Sequence, residues 1–289
     1  MAYINTVKKF TGNIRLECMQ SSGGITEAHA FTGKDAIMSG PAGGVIGTAA
    51  VARLNKLHES IGFDMGGTST DVSRFGGTYE KVFEMETGGI QFQAPSLNVN
   101  TVAAGGGSLL WFDGQKFRVG PESAGAHPGP ACYGRGGPLA LTDANLLLGR
   151  IIPDYFPFTF GRTGEQSLDK KITWRMFEKL TDTINKSLKR KMNKIETALG
   201  FIRIANESMA KAIKEISVSR GYDVRNHALV CFGGAAPQHA CALARILGIR
   251  KIVIHPLAGL LSAYGIAMAD YLRIATRSIV KKLDRKLMK

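Results

Sequence analysis

The sequence predicts an α/β fold, and three observations support this prediction. Short apolar segments with strand-like patterns are separated by glycine-rich turns, and most of the 35 glycines lie before residue 165. Longer amphipathic patterns with helical spacing follow in the second half. The length of 289 residues is enough for one large domain or two ordinary ones, with ample apolar material for a core.

In chain order, the first third of the sequence predicts a strand, a helix and a meander. Residues 13–24 ("NIRLECMQSSGG") have the pattern of a strand followed by a turn. Residues 39–57 begin with glycines and continue as a helix, with Pro41 near the first turn, where its missing N–H is harmless. A three-stranded meander is predicted next, with strands near 60–65, 70–75 and 78–86.

The rest of the sequence predicts a long loop region followed by helices. Residues 100–140 are rich in glycine and predict an irregular segment, which is usually functional inside a compact domain. A short helix is predicted over 141–150, with Thr142 or Asp143 as its cap. The last predicted elements are helices over 169–219, a strand–turn–helix–strand unit over 227–256 and a helix from about Leu260.

The formal net charge of +14 raises the question of a nucleic-acid partner. The basic residues concentrate at 189–194 and 277–289, and no interleaved aromatic residues, helix-turn-helix or zinc-finger pattern accompany them. We therefore expect a solvated lysine-rich surface and no nucleic-acid partner.

Membrane and disulfide-rich classes of protein are also disfavoured by the sequence. No uninterrupted apolar run reaches the roughly 18–20 residues of a membrane helix, and the N-terminus lacks the apolar core of a secretory signal. The four cysteines lie far apart and form no C-x-x-C pair. They predict reduced thiols in a cytoplasmic protein, without a cysteine-based metal site and without a membrane partner.

One turn concentrates polar chemistry, because residues 62–75 read "GFDMGGTSTDVSRF". Its glycines permit positive φ and close backbone approach, and successive amides of such a turn can hold an anion. The hydroxyls add donors, and the two acids can hold Mg²⁺ through water, since this ion gives up its hydration shell reluctantly. An ordinary hairpin turn is the alternative. The candidate site residues here are Asp64, Gly66, Gly67, Thr68, Ser69, Thr70 and Asp71.

A second glycine turn, "CFGGAAPQH" at 231–239, follows a buried-strand pattern and opens a helix. Its glycine pair allows a planar or anionic ligand to pack against the backbone at the helix N-terminus. The turn is not the G-x-G-x-x-G fingerprint of dinucleotide-binding folds, and a simple strand-to-helix turn is an equal alternative.

Other polar residues have structural interpretations that we favour. His127 and Cys132 lack further partners at metal-binding spacing, so a structured loop is expected around them. His239, at the start of a helix, is expected to be a packing or capping residue. Arg74 and Arg135 are able to pair with phosphate, although an arginine without such a ligand is the commoner case.

Together the two turns resemble those of the actin-like ATPase fold, and seven ordered segments resemble the hydantoinase A/5-oxoprolinase family up to about Asp270. Within the family, "GAHPGPACY" together with "GEQSLD" (164–169) is most similar to the 5-oxoprolinase branch. The segments that carry the resemblance are 33–47, 62–75, 100–108, 119–138, 141–150, 232–249 and 259–270.

This resemblance implies an actin-like ATPase (ribonuclease H-like) fold, mostly its second lobe, with a helical insertion near 169–220. It divides the chain into the end of a first lobe with a hinge helix over 1–58, a second lobe over 59–270, and a basic C-terminal helix over 271–289. The family's earlier D-x-G-G-T-type turn is not found in the sequence. The chain is therefore expected to be a central part of a larger enzyme.

The resemblance also implies ATP and Mg²⁺ as cofactors and the ATP-dependent hydrolysis of a small cyclic amide, 5-oxoproline giving glutamate, as in glutathione metabolism. Phosphate and Mg²⁺ would lie at the turn around Gly66-Gly67, with Asp64 or Asp71 orienting the attacking group. Adenosine would lie across a cleft from the phosphate turn. The residues that it would contact are Gly233, Gly234, Ala235 and Gln238.

The partners implied by the resemblance are a missing N-terminal lobe and a hydantoinase B-type subunit or domain. Two alternatives stay open beside this hypothesis. One is a non-catalytic remnant of such an enzyme, and the other is a subunit of the N-methylhydantoinase or acetone carboxylase type. A regulatory or sugar-kinase-like ATPase is disfavoured by the seven segments.

Overall fold

The computed structural model describes residues 2–12, 14–87, 90–274 and 280, and it confirms the α/β fold. A five-stranded mixed sheet forms its centre. The strands, in spatial order, are β11 (Lys251–Val253), β10 (Ala228–Phe232), β3 (Ser60–Met65), β4 (Thr70–Phe75) and β7 (Val99–Val102). Strand β10 runs parallel to β11 and β3, whereas β4 is antiparallel to β3 and to β7.

Three two-stranded hairpins lie outside this central sheet. The first, β1 (Glu17–Met19) with β2 (Ile25–Glu27), contains the strand predicted within residues 13–24. The second pairs β5 (Lys81–Thr87) with β6 (Ile90–Leu97). The third pairs β8 (Ser108–Phe112) with β9 (Phe117–Ser123).

The predicted three-stranded meander is wrong in its last strand, because β5 pairs with β6 and the position beside β4 is taken by β7. The chain turns away from the sheet after β4 through Gly77, which has a φ of 87°. Glu80 is then held by an ion pair to Arg74 of β4, with Nη1 and Oε1 2.8 Å apart. A local hairpin pattern in the sequence gives no information on this tertiary contact.

Eight α-helices are described: α1 (Ala2–Thr11), α2 (Gly33–Ala36), α3 (Ser39–Leu54), α4 (Leu141–Leu147), α5 (Lys170–Leu188), α6 (Lys194–Ile216), α7 (Pro237–Leu247) and α8 (Leu261–Ala267). The helices predicted over 39–57, 141–150 and 169–219 and from about Leu260 are confirmed, as is the unit β10–turn–α7–β11. No pattern in the sequence analysis predicted α1.

Helices cover both faces of the central sheet. The largest apolar cluster lies on one face, where side chains of β3 and β4 pack against α4, α5, α6 and α7. Helix α6 supplies fully buried residues to this cluster, among them Phe201, Met209 and Ile213. The helical stretch near 169–220 therefore includes a central helix of the core, although the resemblance described it as an insertion.

The opposite face of the sheet is covered by α3 and α8, which cross at very short distance. A Cβ atom on Gly43 or Gly47 of α3 would lie only 2.6 Å from the backbone oxygen of Ser262 or Leu261 in α8. A Cβ atom on Gly265 of α8 would collide with the carbonyl oxygen of Gly43. These contacts require glycine, because no larger residue leaves room for two backbones at this separation.

The cap predicted for α4 is wrong in its details. Ala140 occupies the N-cap position, and Asp143 is the third residue of the helix. The Asp143 carboxylate accepts hydrogen bonds from the backbone N–H groups of Ala140, Ala131 and Cys132 at 2.8, 3.1 and 2.7 Å. It therefore joins the start of α4 to the loop 131–132, which a local capping rule does not describe.

One prediction lies largely outside the described residues, and the domain boundaries are not tested by the structure. The basic C-terminal helix over 271–289 lies there except for residues 271–274 and 280, and no helix is assigned to 271–274, where Tyr271 forms a bridge to Ile25. The boundaries at 58 and 270 stay predictions. Among the described helices, none is long and apolar enough to cross a membrane.

Candidate active site: two glycine turns at neighbouring strand ends

The turn between β3 and β4 has unused backbone donors. The N–H of Gly66 donates to the carbonyl oxygen of Ser69 at 3.1 Å and closes the turn. Within the described part of the chain, no hydrogen bond uses the N–H of Gly67, Thr68 or Ser69. A Cβ atom on Gly66 or Gly67 would meet nothing within 4 Å, so the space beside this turn is open. Free amides beside open space are the components of an anion site.

The glycines in this turn serve a purpose other than the one expected from sequence. Neither Gly66 nor Gly67 is among the residues with positive φ, so the turn does not use the left-handed conformation that glycine permits. Their lack of a side chain leaves the space beside the turn free.

The three hydroxyl residues of the turn differ in their surroundings. Thr68 is exposed and Ser69 is half-buried, and neither hydroxyl is hydrogen-bonded to another described residue. Thr70 is fully buried, and its hydroxyl donates to the carbonyl oxygen of Ala104. The Thr70 side chain therefore supports the turn from inside the protein, and its position gives no support for the predicted contact with phosphate.

A loop of three glycines supports the turn from behind, and the sequence analysis assigned it no role. The N–H of Gly106 donates to the carbonyl oxygen of Gly66 at 2.9 Å, and the N–H of Gly107 donates to that of Gly67 at 2.6 Å. A Cβ atom on Gly105 would lie 2.5 Å from the carbonyl carbon of Thr68. The signal in the sequence was the uninterrupted run Gly105–Gly107, which is typical of two backbones in contact.

Asp64 and Asp71 lie side by side at the base of the turn. They are directly opposed residues of β3 and β4, so both side chains are on the same face of the sheet, towards α8. The Ser262 hydroxyl donates to Asp64 Oδ2 at 3.2 Å. The Thr101 hydroxyl donates to Asp71 Oδ1 at 2.6 Å. Each carboxylate thus keeps an oxygen that no described hydroxyl occupies.

Burial and mutual repulsion both act on this carboxylate pair. Burial is the main reason that the pKa of Asp64 is raised to about 6, the negative charge of Asp71 raises it further, and the bond from Ser262 opposes the change. Burial also raises the pKa of Asp71, with the bond from Thr101 opposing. Both changes favour a protonated carboxyl in the absence of a compensating cation.

The second glycine turn is in contact with the first. Phe232, the last residue of β10, lies opposite Asp64 in the parallel register, and the next residue, Gly233, has a φ of 84°. A Cβ atom on Gly233 would be 2.5 Å from Asp64 Oδ1 and from the carbonyl oxygen of Met65. The N–H of Ala235 donates to that Met65 oxygen at 3.0 Å.

The two turns therefore meet at the carboxyl ends of neighbouring parallel strands, where no cleft separates them. Positive φ occurs in the second turn, at Gly233. A Cβ atom on Gly234 would meet nothing within 4 Å, so this side of the turn is open. Ala235 is buried, and Gln238 is half-buried with its Nε2 donating to the carbonyl oxygen of Gly234 at 3.4 Å.

A buried polar network holds the second turn in place. His239 is fully buried, with Nδ1 2.7 Å from Asn206 Oδ1 in α6 and Nε2 3.1 Å from Asn145 Nδ2 in α4. Burial, with help from the charge of Arg150, lowers the pKa of His239 to about 4. The imidazole is therefore neutral at pH 7, with Nδ1–H as donor and Nε2 as acceptor. This confirms His239 as a packing residue.

Arg74 and Cys132, also considered from sequence, have structural roles in the described part of the chain. Arg74 is buried and paired with Glu59 and Glu80 at 2.7 and 2.8 Å, so it is not a phosphate ligand. Burial raises the pKa of the Cys132 thiol, which stays protonated. No cluster of three or more His, Cys, Asp or Glu side chains suited to a metal ion occurs among the described residues.

Comparison with known proteins places the chain in a family. The family model described as hydantoinase/oxoprolinase matches residues 2–275. The chain belongs to this family. It is 51% identical over 271 residues to 5-oxoprolinase 1 of Arabidopsis thaliana, in a match that covers 91% of the chain. The chain spans about a fifth of the length of that relative, since the match covers 21% of it.

Two solved structures of similar proteins share the fold. The nucleotide-free structure of acetone carboxylase, from work on ATP-dependent acetone carboxylation, superposes with a TM-score of 0.79 and 25% identity, covering 92% of this chain and 37% of that one. The ATP-dependent caprolactamase from Pseudomonas jessenii superposes with a TM-score of 0.76 and 31% identity, covering 93% and 39%. The fold is of the actin-like ATPase type.

Proposed function

We propose that this chain carries the nucleotide site of an ATP-dependent hydrolase of cyclic amides, with 5-oxoproline as the substrate. One observation supports the proposal above all others. Three unused amides of the β3–β4 turn lie next to two adjacent carboxylates, and the second glycine turn touches the same carboxylates from the neighbouring strand. The names of the relatives agree with this chemistry, since one is a 5-oxoprolinase and one an ATP-dependent caprolactamase.

In this proposal the first turn holds the phosphates of ATP. The N–H groups of Gly67, Thr68 and Ser69 donate to phosphate oxygens, and the hydroxyls of Thr68 and Ser69 add two further donors. Positioning and electrostatic stabilisation account for most of the catalysis of phosphoryl transfer, and a fixed row of donors supplies both. Gly66 and Gly67 keep the space for the phosphates free of side chains.

Asp64 and Asp71 fit a magnesium ion. Both side chains offer oxygen ligands, and, besides burial, the charge of Asp71 contributes to the raised pKa of Asp64, so a cation beside them would be favourable. A site with two carboxylates suits Mg²⁺, which keeps several of its water ligands in proteins. When bound, the ion neutralises negative charge on the phosphates. The two carboxylates also lie where they can orient the attacking group.

The second turn is proposed to hold adenosine. The surface beside Gly234 is open, and the buried Ala235 and the side chain of Gln238 border it. The network around His239 fixes the start of α7, so that the turn keeps its shape without the ligand. Because the two turns touch, one nucleotide can reach from one to the other.

The nucleotide site serves the substrate chemistry as follows. An amide is a poor electrophile, and transfer of the terminal phosphoryl group of ATP to its carbonyl oxygen makes that oxygen a good leaving group. One water then attacks the carbonyl carbon, and the ring C–N bond breaks as its nitrogen takes up a proton, which leaves an acyl phosphate. A second water hydrolyses this acyl phosphate to the carboxylate and free phosphate. For 5-oxoproline the products are glutamate, ADP and phosphate. We propose that further polypeptide, including an N-terminal lobe and a hydantoinase B-type subunit or domain, takes part in this reaction.

The experiment that tests the proposal combines binding and phosphate release. Titration calorimetry should detect binding of Mg-ATP to the chain, and Asp64→Asn should weaken it at least about tenfold, as expected for the loss of one charged ligand. The matched control is Asp182→Asn, because Asp182 is exposed on α5. In the presence of that further polypeptide, phosphate release from Mg-ATP should be higher with 5-oxo-L-proline than with caprolactam. Equal binding by wild type and Asp64→Asn would contradict the nucleotide site, and equal release would contradict the substrate.

A further inference from the structure

A serine at the start of helix α8 contacts the carboxylate pair of the candidate active site. Ser262 is the second residue of α8 and is half-buried, and its hydroxyl donates to Asp64 Oδ2 at 3.2 Å. The two residues are 198 positions apart in the sequence. The sequence analysis assigned Ser262 no chemical role, because a local pattern gives no information on a contact of this range.

The Ser262 hydroxyl serves the site and not its own helix. A serine in a helix often donates to the carbonyl oxygen four residues earlier. For Ser262 that oxygen belongs to Ala258, and it accepts a bond from the N–H of Gly233 at 3.0 Å instead. Ser262 is also not the N-cap of α8, which is Leu260. Among the described residues, Asp64 is the one hydrogen-bond partner of the Ser262 side chain.

The carboxylate of Asp64 needs such a partner to hold it in one orientation. An aspartate side chain has three staggered rotamers about χ1 and a broad terminal torsion. Two contacts restrict it here, since Ser262 binds Oδ2, and Oδ1 lies only 2.5 Å from the position that a Cβ atom on Gly233 would occupy. A carboxylate has about four acceptor positions, so the bond from Ser262 orients the group and leaves other positions for a further ligand.

Helix α8 is itself held in place, so Ser262 is a rigid support. The backbone oxygen of Ser262 lies 2.6 Å from the position that a Cβ atom on Gly43 would take, so α3 and α8 are in direct contact at this residue. A Cβ atom on Gly44 would lie 3.3 Å from Ser262 Oγ, so Gly44 leaves room for the hydroxyl itself. A group on a packed helix holds its partner more precisely than a group on a loop.

We propose that Ser262 is a positioning residue of the magnesium site, and that its hydroxyl orients the Asp64 carboxylate for Mg²⁺. The assignment rests on the proposed function, because that function supplies the cation. Asp71 has an equivalent partner in Thr101, whose hydroxyl donates to Asp71 Oδ1 at 2.6 Å. Thr101 belongs to the same sheet as Asp71, whereas Ser262 comes from a helix. Through Ser262, the geometry of the carboxylate pair depends on how α8 packs against the sheet.

The test measures binding of two probes to the full chain by titration calorimetry: Mg-ATP, and ATP with excess EDTA. Ser262→Ala should weaken Mg-ATP binding about three- to tenfold, less than Asp64→Asn, because it disturbs a ligand without removing it. Binding of metal-free ATP should be unchanged. Ser262→Thr keeps the hydroxyl and should stay within about twofold of wild type.

The matched control for Ser262→Ala is Ser39→Ala. Ser39 is also a half-buried serine in the first turn of a helix, and its hydroxyl donates to the carbonyl oxygen of Ala36 at 2.9 Å. This variant should bind both probes as wild type does. Circular dichroism checks the fold of every variant.

A double-mutant cycle separates a positioning role from a structural one. If Ser262 acts through Asp64, Ser262→Ala should cause no further loss of Mg-ATP affinity in the Asp64→Ala variant, whereas independent effects would add. Additive losses, an unchanged Mg-ATP affinity in Ser262→Ala, or an equal loss for metal-free ATP would overturn the proposal. A loss in Ser262→Thr as large as that in Ser262→Ala would also overturn it, because the effect would then not come from the hydroxyl.

A measurement without nucleotide tests Ser262 independently of the proposed function. In ¹³C,¹⁵N-labelled protein, three-bond couplings between the Asp64 carboxyl carbon and the backbone report the χ1 rotamer. They should indicate one rotamer in wild type and Ser262→Thr, and averaging in Ser262→Ala. Equal couplings in wild type and Ser262→Ala would overturn the positioning role. Absence of Mg-ATP binding in wild type would count against the proposed function, and the couplings would still decide whether Ser262 holds Asp64.

Discussion

The two faces of the central sheet have opposite character. On one face, Ile61, Phe63 and Met65 of β3 are completely buried among apolar side chains from α4 to α7. On the other face, the alternate residues Gly62 and Asp64 of the same strand meet the hydroxyl groups of Thr48 and Ser262. One six-residue strand therefore supplies both the core and the candidate site.

This difference shows how stability and function are separated along a strand. Successive side chains of a strand point to opposite faces, so a change at one residue affects one face first. The apolar face makes the strand rigid, and the polar face uses that rigidity to hold two carboxylates side by side. The face with the site has small residues and unsatisfied hydroxyls, such as those of Thr48 and Ser60, and so contributes less to stability.

The largest effect is expected from truncation on the apolar face. Phe63→Ala should lower the free energy of unfolding by about 3–5 kcal/mol, because it removes a fully buried aromatic ring and leaves a cavity. Chemical denaturation monitored by circular dichroism measures this. Phe83→Ala is the control, since Phe83 is 57% exposed, and its effect should stay within about 0.5 kcal/mol. Similar losses for both variants would contradict the assignment of the core.

Two substitutions in helix α3, on the other face of the sheet, should change the free energy of unfolding in opposite directions. Gly43→Ala should destabilise the protein by about 1–3 kcal/mol, because the new Cβ would lie 2.6 Å from the Ser262 carbonyl oxygen. Gly40→Ala in the same helix meets nothing within 4 Å and should stabilise by up to about 1 kcal/mol, since alanine favours the helix. Melting temperatures in the same direction for both variants would contradict the close crossing of α3 and α8.

Asp64 makes the free energy of unfolding of the protein depend on pH. A carboxyl in the unfolded chain titrates near 4, and the folded pKa of Asp64 is raised to about 6. Between these values the folded state binds more protons than the unfolded state, so stability is highest below about pH 4 and decreases until about pH 6. Asp64→Asn removes this dependence.

The variant Asp64→Asn should therefore match wild type near pH 4 and be more stable by about 1–2 kcal/mol at pH 7, in the absence of Mg²⁺. Thermal unfolding at several pH values provides the comparison, with Asp182→Asn as a control that keeps the wild-type pH profile. A variant that is less stable than wild type at pH 7 would mean that the ionised carboxylate stabilises the fold, contrary to the burial described above.

The smallest effect is expected at the edge of the second turn. Gln238 is half-buried and makes one long hydrogen bond, from Nε2 to the carbonyl oxygen of Gly234 at 3.4 Å. Gln238→Ala should change the free energy of unfolding by less than about 0.5 kcal/mol and weaken Mg-ATP binding about two- to fivefold. Calorimetry that gives an unchanged affinity would remove Gln238 from the adenosine site.

The sequence predicted those parts of the fold that depend on local chemistry. The strands near 60–65 and before Gly233, and the glycines after them, follow from local patterns, and the structure confirms both strands, which end at Met65 and Phe232. Contacts between distant segments could not be predicted in this way. The hydrogen bond from Gly106 to Gly66 depends on tertiary packing. So do the ion pairs of Arg74 with Glu59 and Glu80.

Predictions for individual residues differ from the structure for the same reason, because tertiary packing decides the environment of each side chain. Thr70 follows two other hydroxyl residues in the sequence, but the alternation of β4 turns its side chain into the core, where it meets Ala104. Arginine is a common phosphate ligand, but Arg74 is buried and forms an ion pair with Glu59. A motif identifies which residue types are present, and the sheet decides which of them face the ligand.

The most direct test of the central claim is a measurement on the turn amides themselves. In ¹⁵N-labelled protein, addition of Mg-ATP should shift the amide resonances of Gly67, Thr68 and Ser69 more than any others in the described β3–β4 hairpin, because these N–H groups have no partner within the described chain. Amides of α5, which lies outside the site, should stay unchanged. Binding of Mg-ATP that leaves these three resonances in place, with the shifts located elsewhere, would contradict the account.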